Sequence, residues 1–278
     1  MTRILVADDD RTTRLLISEI LRSEHFIVTT APDGAGALKK LKAHKFDLAL
    51  LDVWMPKKNG IDVLAALRKS RRRFKAIVMT SDDTPETVLR AIREQAYRYI
   101  SKPIEPAHLV AVVHQSLAEK AEGLPIEVIS ARAEWVELRV PCSLETAERI
   151  EAFMSQLKGG LPEEVRSAVG QAFHELLLNA IEWGGKLDVH RKVRISYLRA
   201  KRMVLYRIAD PGPGFKLADL DHAAISHMPD DPTAHDEIRQ KKGLRPGGFG
   251  LVLAKANVDE LLYNEAQNEV VFVKYLER

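Results

Sequence analysis

A single cysteine, Cys142, excludes an internal disulfide in this chain of 278 residues and suits a reducing compartment. No apolar run approaches the roughly 18–20 residues that a bilayer-spanning helix needs. Charge of one sign is also lacking: the net charge is only +3, which makes no compositional case for a polyanionic partner. The opening "TRILVADDD" reads as a strand running into acids and not as a signal peptide, so a cytoplasmic location is expected. What is present is a soluble globular composition, 46% apolar and 29% charged, long enough for two ordinary domains. The charge is split unevenly. The first 122 residues hold 21 Lys/Arg against 16 Asp/Glu, and the rest hold 21 against 23.

Residues 1–121 alternate short apolar runs with helix-period stretches. The runs are "RILVA", "FIVTT", "FDLALL", "KAIVMT" and "YRYI". In the first helical stretch Leu15, Leu16, Ile20 and Leu21 form the expected buried stripe. Five strand–helix pairs predict a doubly wound parallel sheet with helices on both faces, and right-handed crossovers place any site at one edge. Gly123 and Pro125 mark a break, so residues 122–126 are expected to link this domain to a second one over 127–278. There the order changes to two β-type runs, two helices near 143–158 and 162–183, and adjacent strands "RKVRISYLR" and "RMVLYRIAD". An irregular stretch over 215–246 follows, then a helix from about 248 and two last strands. This grouping predicts an α+β sandwich, with 215–246 too long for a passive connection and therefore either a lid or a disordered segment.

In the first domain the aspartates Asp8, Asp9 and Asp10 follow the first strand, and Asp52 follows the third. A doubly wound sheet makes those ends neighbours. Clustered carboxylates repel one another unless a hard cation is bound, and oxygen ligands suit Mg²⁺. Thr80 ends the fourth strand and Lys102 follows the fifth. A carboxylate, a hydroxyl, an ammonium and a divalent cation together can stabilise phosphoryl transfer to an aspartate. Over residues 1–120 the pieces "ILVADDD", "LLDVWMPKKNG", "IVMTSDD" and "YRYISKP" resemble the flavodoxin-like receiver domain of bacterial response regulators. The resemblance implies Asp52 as phosphoacceptor, and Asp8, Asp9 and Asp52 as the Mg²⁺ site. It implies Thr80 and Lys102 as phosphoryl contacts and Tyr99 as the aromatic switch. The basic run Arg68, Lys69, Arg71, Arg72, Arg73 and Lys75 reads either as a solvated helix end or as a docking patch for an acidic surface.

The helix near 163–182 carries Val165, Val169, Ala172, Phe173, Leu176, Leu177 and Ala180 as its buried stripe. Glu175 and Asn179, four apart, share a face beside it and could together hold a water and a Mg²⁺, or could simply be solvated. "IADPGPGF" places Asp210 after a strand, with Gly212 and Gly214 allowing close backbone approach or a plain turn. Gly247, Gly248 and Gly250 open an apolar helix, a common place for phosphate. In this order the pieces resemble the N, G1 and G2 boxes of the histidine-kinase-like (Bergerat) ATP-binding fold, over roughly 126–278. The resemblance implies Asn179 on the Mg²⁺ of ATP, Glu175 as general base and Asp210 on the adenine amino group. Gly212 and Gly214 would shape that pocket, and Gly247, Gly248 and Gly250 would meet the phosphates.

The residues between the domains leave no room for the dimerising hairpin of a histidine kinase. The compact "HELLLNAIEWGG" arrangement looks like the anti-sigma-factor serine/threonine kinases, with one departure: that branch usually has His where this chain has Trp183. The expectation is a response regulator whose output domain phosphorylates a Ser/Thr of a partner, an anti-anti-sigma (STAS-type) protein. The alternative is a non-catalytic ATP-dependent switch that sequesters a sigma factor or another regulator. An upstream sensor histidine kinase is implied, with neither DNA nor membrane as a direct partner, and a homodimer remains open.

Overall fold

The computed structural model describes residues 1–69, 75–81, 84–118, 125–132, 134–158, 160–215 and 249–276. Contacts divide the chain into two compact units. One is Met1–Pro125 with Ala152–Gly159, and the other is Ile126–Glu151 with Gly160–Arg278.

In the first unit the elements alternate strictly: β1 (Arg3–Ala7), α1 (Arg11–Ser23), β2 (Ile27–Ala31), α2 (Gly34–Ala43), β3 (Leu48–Asp52), α3 (Gly60–Lys69), β4 (Lys75–Thr80), α4 (Pro85–Arg93), β5 (Arg98–Ser101) and α5 (Pro106–Ala118). All neighbouring strands are parallel, in the order β2-β1-β3-β4-β5. Every residue of β3 and β4 is buried, as expected of central strands covered on both faces. Ile4, Val6, Leu48, Leu50, Ile77 and Met79 pack against Ile17, Leu21, Leu109 and Val113 from α1 and α5.

The stripe of α1 differs from the expected one. Leu15 and Leu16 are half exposed, and Ile17 and Leu21, one turn apart, are the residues that enter the core. Asp10 is the N-cap of that helix, its carboxylate accepting from the Thr13 amide. The basic run is not one surface. Lys75 is buried, with its ammonium donating to the Ser116 carbonyl and standing 4.7 Å from the Tyr97 ring centre, while Arg68 pairs with Glu94 at 3.1 Å. Arg71, Arg72 and Arg73 lie outside the described residues.

The second unit contains β6 (Glu127–Arg132), β7 (Trp135–Pro141), the start of α6 (Leu144–Gln156) and α7 (Glu163–Asn179). A π-helical turn over Ala180–Gly184 follows, then β8 (Lys192–Ala200), β9 (Met203–Ala209), α8 (Gly250–Asn257), β10 (Glu260–Tyr263) and β11 (Glu269–Tyr275). The strands form one antiparallel sheet in the order β10-β11-β9-β8-β7-β6. Along β9 the residues alternate between buried and half-buried, so Val204, Tyr206 and Ile208 form one inner row. Tyr206 stacks on Phe272 at 5.0 Å and meets Phe173 of α7 at 5.0 Å, which fixes α7 across the sheet. On α7, Val169, Ala172, Phe173, Leu176 and Leu177 are buried, as its periodicity predicts. Among the described residues no helix is long and apolar enough to cross a membrane.

Candidate functional sites

The first site forms where β1 and β3 end side by side. Asp8 and Asp52 are buried and Asp9 is exposed, and one oxygen of each lies within 4.8 Å of the others. Lys102, just past β5, brings its ammonium to 2.8 Å from Asp8 Oδ2 and 3.1 Å from Asp52 Oδ1. Asp8 Oδ1 accepts from the Asp10 amide at 2.9 Å, so only the other oxygen faces the cluster. That oxygen has no aligned hydrogen-bond donor, although Lys102 is near. A buried carboxylate oxygen short of donors, beside two more carboxylates, is a donor set that fits a hard divalent cation. Asp10 faces Thr13 instead and stands apart from this set.

Electrostatics follow from that crowding. Burial pushes the Asp52 carboxyl up to about 6; Lys102 opposes the rise, and the charges of Asp8 and Asp9 add to it. Burial works against the charge on Lys102, but the Asp8 and Asp52 carboxylates outweigh it and hold the ammonium above its ordinary value. Thr80 is buried at the end of β4, and its carbonyl accepts from the Lys102 amide at 2.7 Å. The Lys102–Pro103 peptide bond is cis. Tyr99 is also buried, with its ring 6.5 Å from that of Phe153, and Ser101 Oγ donates to Gln156 Oε1 at 3.0 Å.

The second site lies along α7 and the turn that extends it. Glu175 faces the start of α8 so closely that a Cβ on Gly250 would fall 2.4 Å from Glu175 Oε2. A helix start with bare backbone is thus set against a carboxylate, and Asn179 is half-buried one turn further on. Five residues beyond Asn179, Gly184 leaves room for Asp210: a Cβ there would meet the Asp210 carboxyl at 2.2 Å. The π-helical turn carries Gly184 to this point, an irregularity often found where a helix serves a site.

Asp210 is held firmly. Its Oδ1 accepts from the Gly212 amide at 2.7 Å, and its own amide donates to the Asn268 carbonyl at 2.9 Å. Asn268 Nδ2 donates to the Gly212 carbonyl at 2.9 Å, and Gly214 adopts φ +84° against the Ala266 carbonyl. Burial raises the Asp210 carboxyl above its ordinary value, against the Gly212 amide and the Arg191 charge. Among the described residues nothing pairs with its second oxygen, Oδ2, which is left to accept a donor from a ligand. The cradle at Gly184 and the contact at Gly250 fit a purine at one end of α7 and a metal-bound polyphosphate near Glu175 and Asn179. Gly247 and Gly248 lie outside the described residues, as does the proposed lid beyond Phe215.

Sequence reasoning missed Gly184, Arg191 and Asn268 as parts of this site. The doublet Gly184-Gly185 directly after the Glu/Asn helix was the available signal; Arg191 and Asn268 gave none.

Residues 4–114 match the response regulator receiver domain family, and residues 140–274 match the histidine kinase-like ATPase domain family. The DNA-binding response regulator MtrA of Mycolicibacterium smegmatis is 31% identical over 202 residues, which cover 72% of this chain and 87% of that protein. A CheY-like receiver domain from Methanospirillum hungatei is 30% identical with a TM-score of 0.41, covering 42% of this chain and 94% of its own. The Thermotoga maritima response regulator TrrA, solved with Mg²⁺ and BeF, is 33% identical with a TM-score of 0.39, covering 42% of this chain and all of its own.

Proposed function

We propose, from the premise that this chain belongs to the response-regulator family and joins a receiver to a histidine kinase-like ATPase domain, that it receives one phosphoryl group and transfers another. In the receiver, an upstream sensor histidine kinase presents a phosphohistidine. An Asp52 oxygen attacks phosphorus as the P–N bond breaks, and Lys102 balances the charge that develops. A Mg²⁺ held by Asp8, Asp9 and Asp52 would supply further neutralisation there. Thr80, at the end of β4, would donate to the new phosphoryl oxygens, and Tyr99 on β5, opposite Val78, would follow its movement. Tyr99 and Ser101 meet Phe153 and Gln156 within the same unit.

The second domain, on this reading, binds Mg-ATP through Asp210, Asn179 and the glycines before α8. Its partner is a Ser/Thr on an anti-anti-sigma (STAS-type) protein. Glu175 takes the hydroxyl proton as the oxygen attacks the γ-phosphorus and the bond to ADP breaks. The observation that carries this is Gly250 packed on Glu175, which sets the proposed base at the helix start where the terminal phosphate would lie.

Incubation with γ-labelled ATP, Mg²⁺ and a purified anti-anti-sigma protein tests the reading. Label should appear on the partner, and Glu175→Gln should lower transfer by about 100-fold or more while leaving ATP affinity within a few-fold. Transfer that survives this change would remove Glu175 from the mechanism. Trp183, 45% exposed on the π-helical turn, stands where catalytic relatives of the resembled branch carry His, and favours a second reading. In that reading ATP only shapes a surface that sequesters a sigma factor, and the same experiment gives nucleotide binding without any labelled partner.

A further inference from the structure

Between the π-helical turn and β8 the chain makes a tight loop. Lys186 and Leu187 both adopt positive φ, at 56° and 54°, a backbone conformation costly for side chains of this size. The His190 amide donates to Asp188 Oδ1 at 2.9 Å, and the Arg191 amide donates to the Asp188 carbonyl at 3.0 Å. The strained loop has a visible result: it delivers Arg191 to the Asp210 turn. The Arg191 guanidinium donates to the carbonyl of Pro211, the residue directly after Asp210, and the Arg191 carbonyl accepts from the Cys142 amide at 3.0 Å. Arg191 is therefore tied to the loop, to the end of β7 and to the pocket turn.

We propose that Arg191 is a specificity-setting residue of this pocket: by clamping the Pro211 carbonyl and placing its charge beside Asp210, it fixes the carboxylate that chooses adenine over guanine. This rests on the reading of the Asp210 pocket as a purine site. An ionised carboxylate only accepts hydrogen bonds, whereas a protonated one can also donate. Adenine offers an amino donor where guanine offers a carbonyl acceptor. While charged, Asp210 Oδ2 thus accepts from the adenine amino group and opposes the guanine carbonyl at the same position, and it loses that discrimination once protonated.

Among the described residues the Gly212 amide and Arg191 favour the charge on Asp210, and Arg191 is the cation of the two. Burial favours the neutral acid. Cys142, at the end of β7, is pushed by burial up to about 11 and stays neutral. Tyr263 on β10 is likewise raised by burial and stays neutral. Asp188 in the loop adds its negative charge to the Cys142 thiol, which keeps that neighbour neutral as well. Arg191 adds its charge to the Gly212 amide against burial, and its removal raises the pH at which Asp210 takes up a proton.

The test is isothermal titration of the full chain with Mg-ATP and Mg-GTP between pH 5.5 and 8, on wild type, Arg191→Gln and Arg191→Lys. The glutamine keeps a donor for the Pro211 carbonyl but drops the charge. Its ATP affinity should begin to fall on acidification about half a pH unit or more earlier than wild type, and its ATP/GTP preference should shrink about tenfold at pH 6. Arg191→Lys should restore the wild-type pH profile, a rescue that mere support of the loop would not produce. A uniform loss of affinity at every pH, or a glutamine variant with unchanged profile and preference, overturns the proposal. Binding of ATP by wild type that Asp210→Asn leaves intact overturns instead the purine-site reading, and the proposal with it.

Discussion

Replacing Gly184 with alanine will cost the second domain its nucleotide while leaving it folded. In a helix interior this change ordinarily stabilises by up to about 1 kcal/mol, because glycine loses more backbone entropy on folding. Here the new Cβ would lie 2.2 Å from both Cγ and Oδ1 of Asp210 and 2.5 Å from its Cβ. Something must move by more than 1 Å, and the carboxylate is the nearer and less covered partner. It does not move freely. Oδ1 is held by the Gly212 amide at 2.7 Å, and the Asp210 backbone is held by Asn268 at 2.9 Å. Displacement therefore breaks the Gly212 bond and removes the acceptor that Oδ2 offers to a purine. A misplacement of that size costs about 100-fold in a positioned interaction. Titration with Mg-ATP should show at least that loss, alongside a far-UV circular dichroism melt lowered by only a few degrees. Affinity within threefold of wild type would mean that Asp210 is not the purine contact. Asp210→Asn is the companion variant, since it alters the carboxylate without crowding it.

The contrast between this glycine and the elements around it shows what the sequence carries and what it does not. In the first unit β1 and β4 coincide with the apolar runs "RILVA" and "KAIVMT". A strand buried on both faces needs a continuous apolar run, and a one-dimensional pattern reveals that directly. The stripe of α1 was less legible. Its Leu15-Leu16 doublet competes with Ile17 and Leu21 for the inner face, and hydrophobicity alone does not rank them; packing against Leu109 and Val113 from a distant helix does. Asp10 shows the same limit. Three consecutive acids read as one cluster, whereas the helix start takes the third for its own cap. In the second unit, Glu175, Asn179 and Asp210 were legible through their order. Asn268 was not, because it reaches Gly212 across 56 residues of sequence, and Arg191 was not, because a strained loop delivers it. Gly184 lies between these cases: the glycine doublet is visible, but its need arises only when β9 brings Asp210 against it.

Asp52→Asn should abolish phosphorylation of the receiver and, in metal-free buffer, make that domain more stable. The first effect follows from chemistry: an amide has no anionic oxygen to attack phosphorus. The second follows from the sign of the Asp52 shift. Its folded-state value of about 6 lies above the ordinary 3.8, so the fold favours the protonated acid. Above about pH 6 the folded protein carries a charge that it holds at a cost. As pH falls through 6 toward 3.8 the folded state takes up the proton first, and stability rises. Holding the carboxyl at about 6 in place of 3.8 corresponds to roughly 3 kcal/mol at neutral pH, and relaxation and lost contact with Lys102 reduce that to about 1–2 kcal/mol. Lys102 keeps Asp8 at 2.8 Å in the variant, so its ammonium is not stranded. Calorimetry in EDTA at pH 7.5 should place the receiver transition of Asp52→Asn several degrees above wild type, with the gap narrowing as pH falls from about 6 toward 3.8. Added Mg²⁺ should raise wild type more than the variant, since only wild type presents the full set of Asp8, Asp9 and Asp52. A variant less stable than wild type in EDTA at pH 7.5 would show that Lys102 already neutralises the cluster. The crowding of Asp8, Asp9 and Asp52 would also be the source of cation affinity: a divalent ion held there would relieve the repulsion among three carboxylates and lower the proton affinity of Asp52, leaving its oxygen anionic.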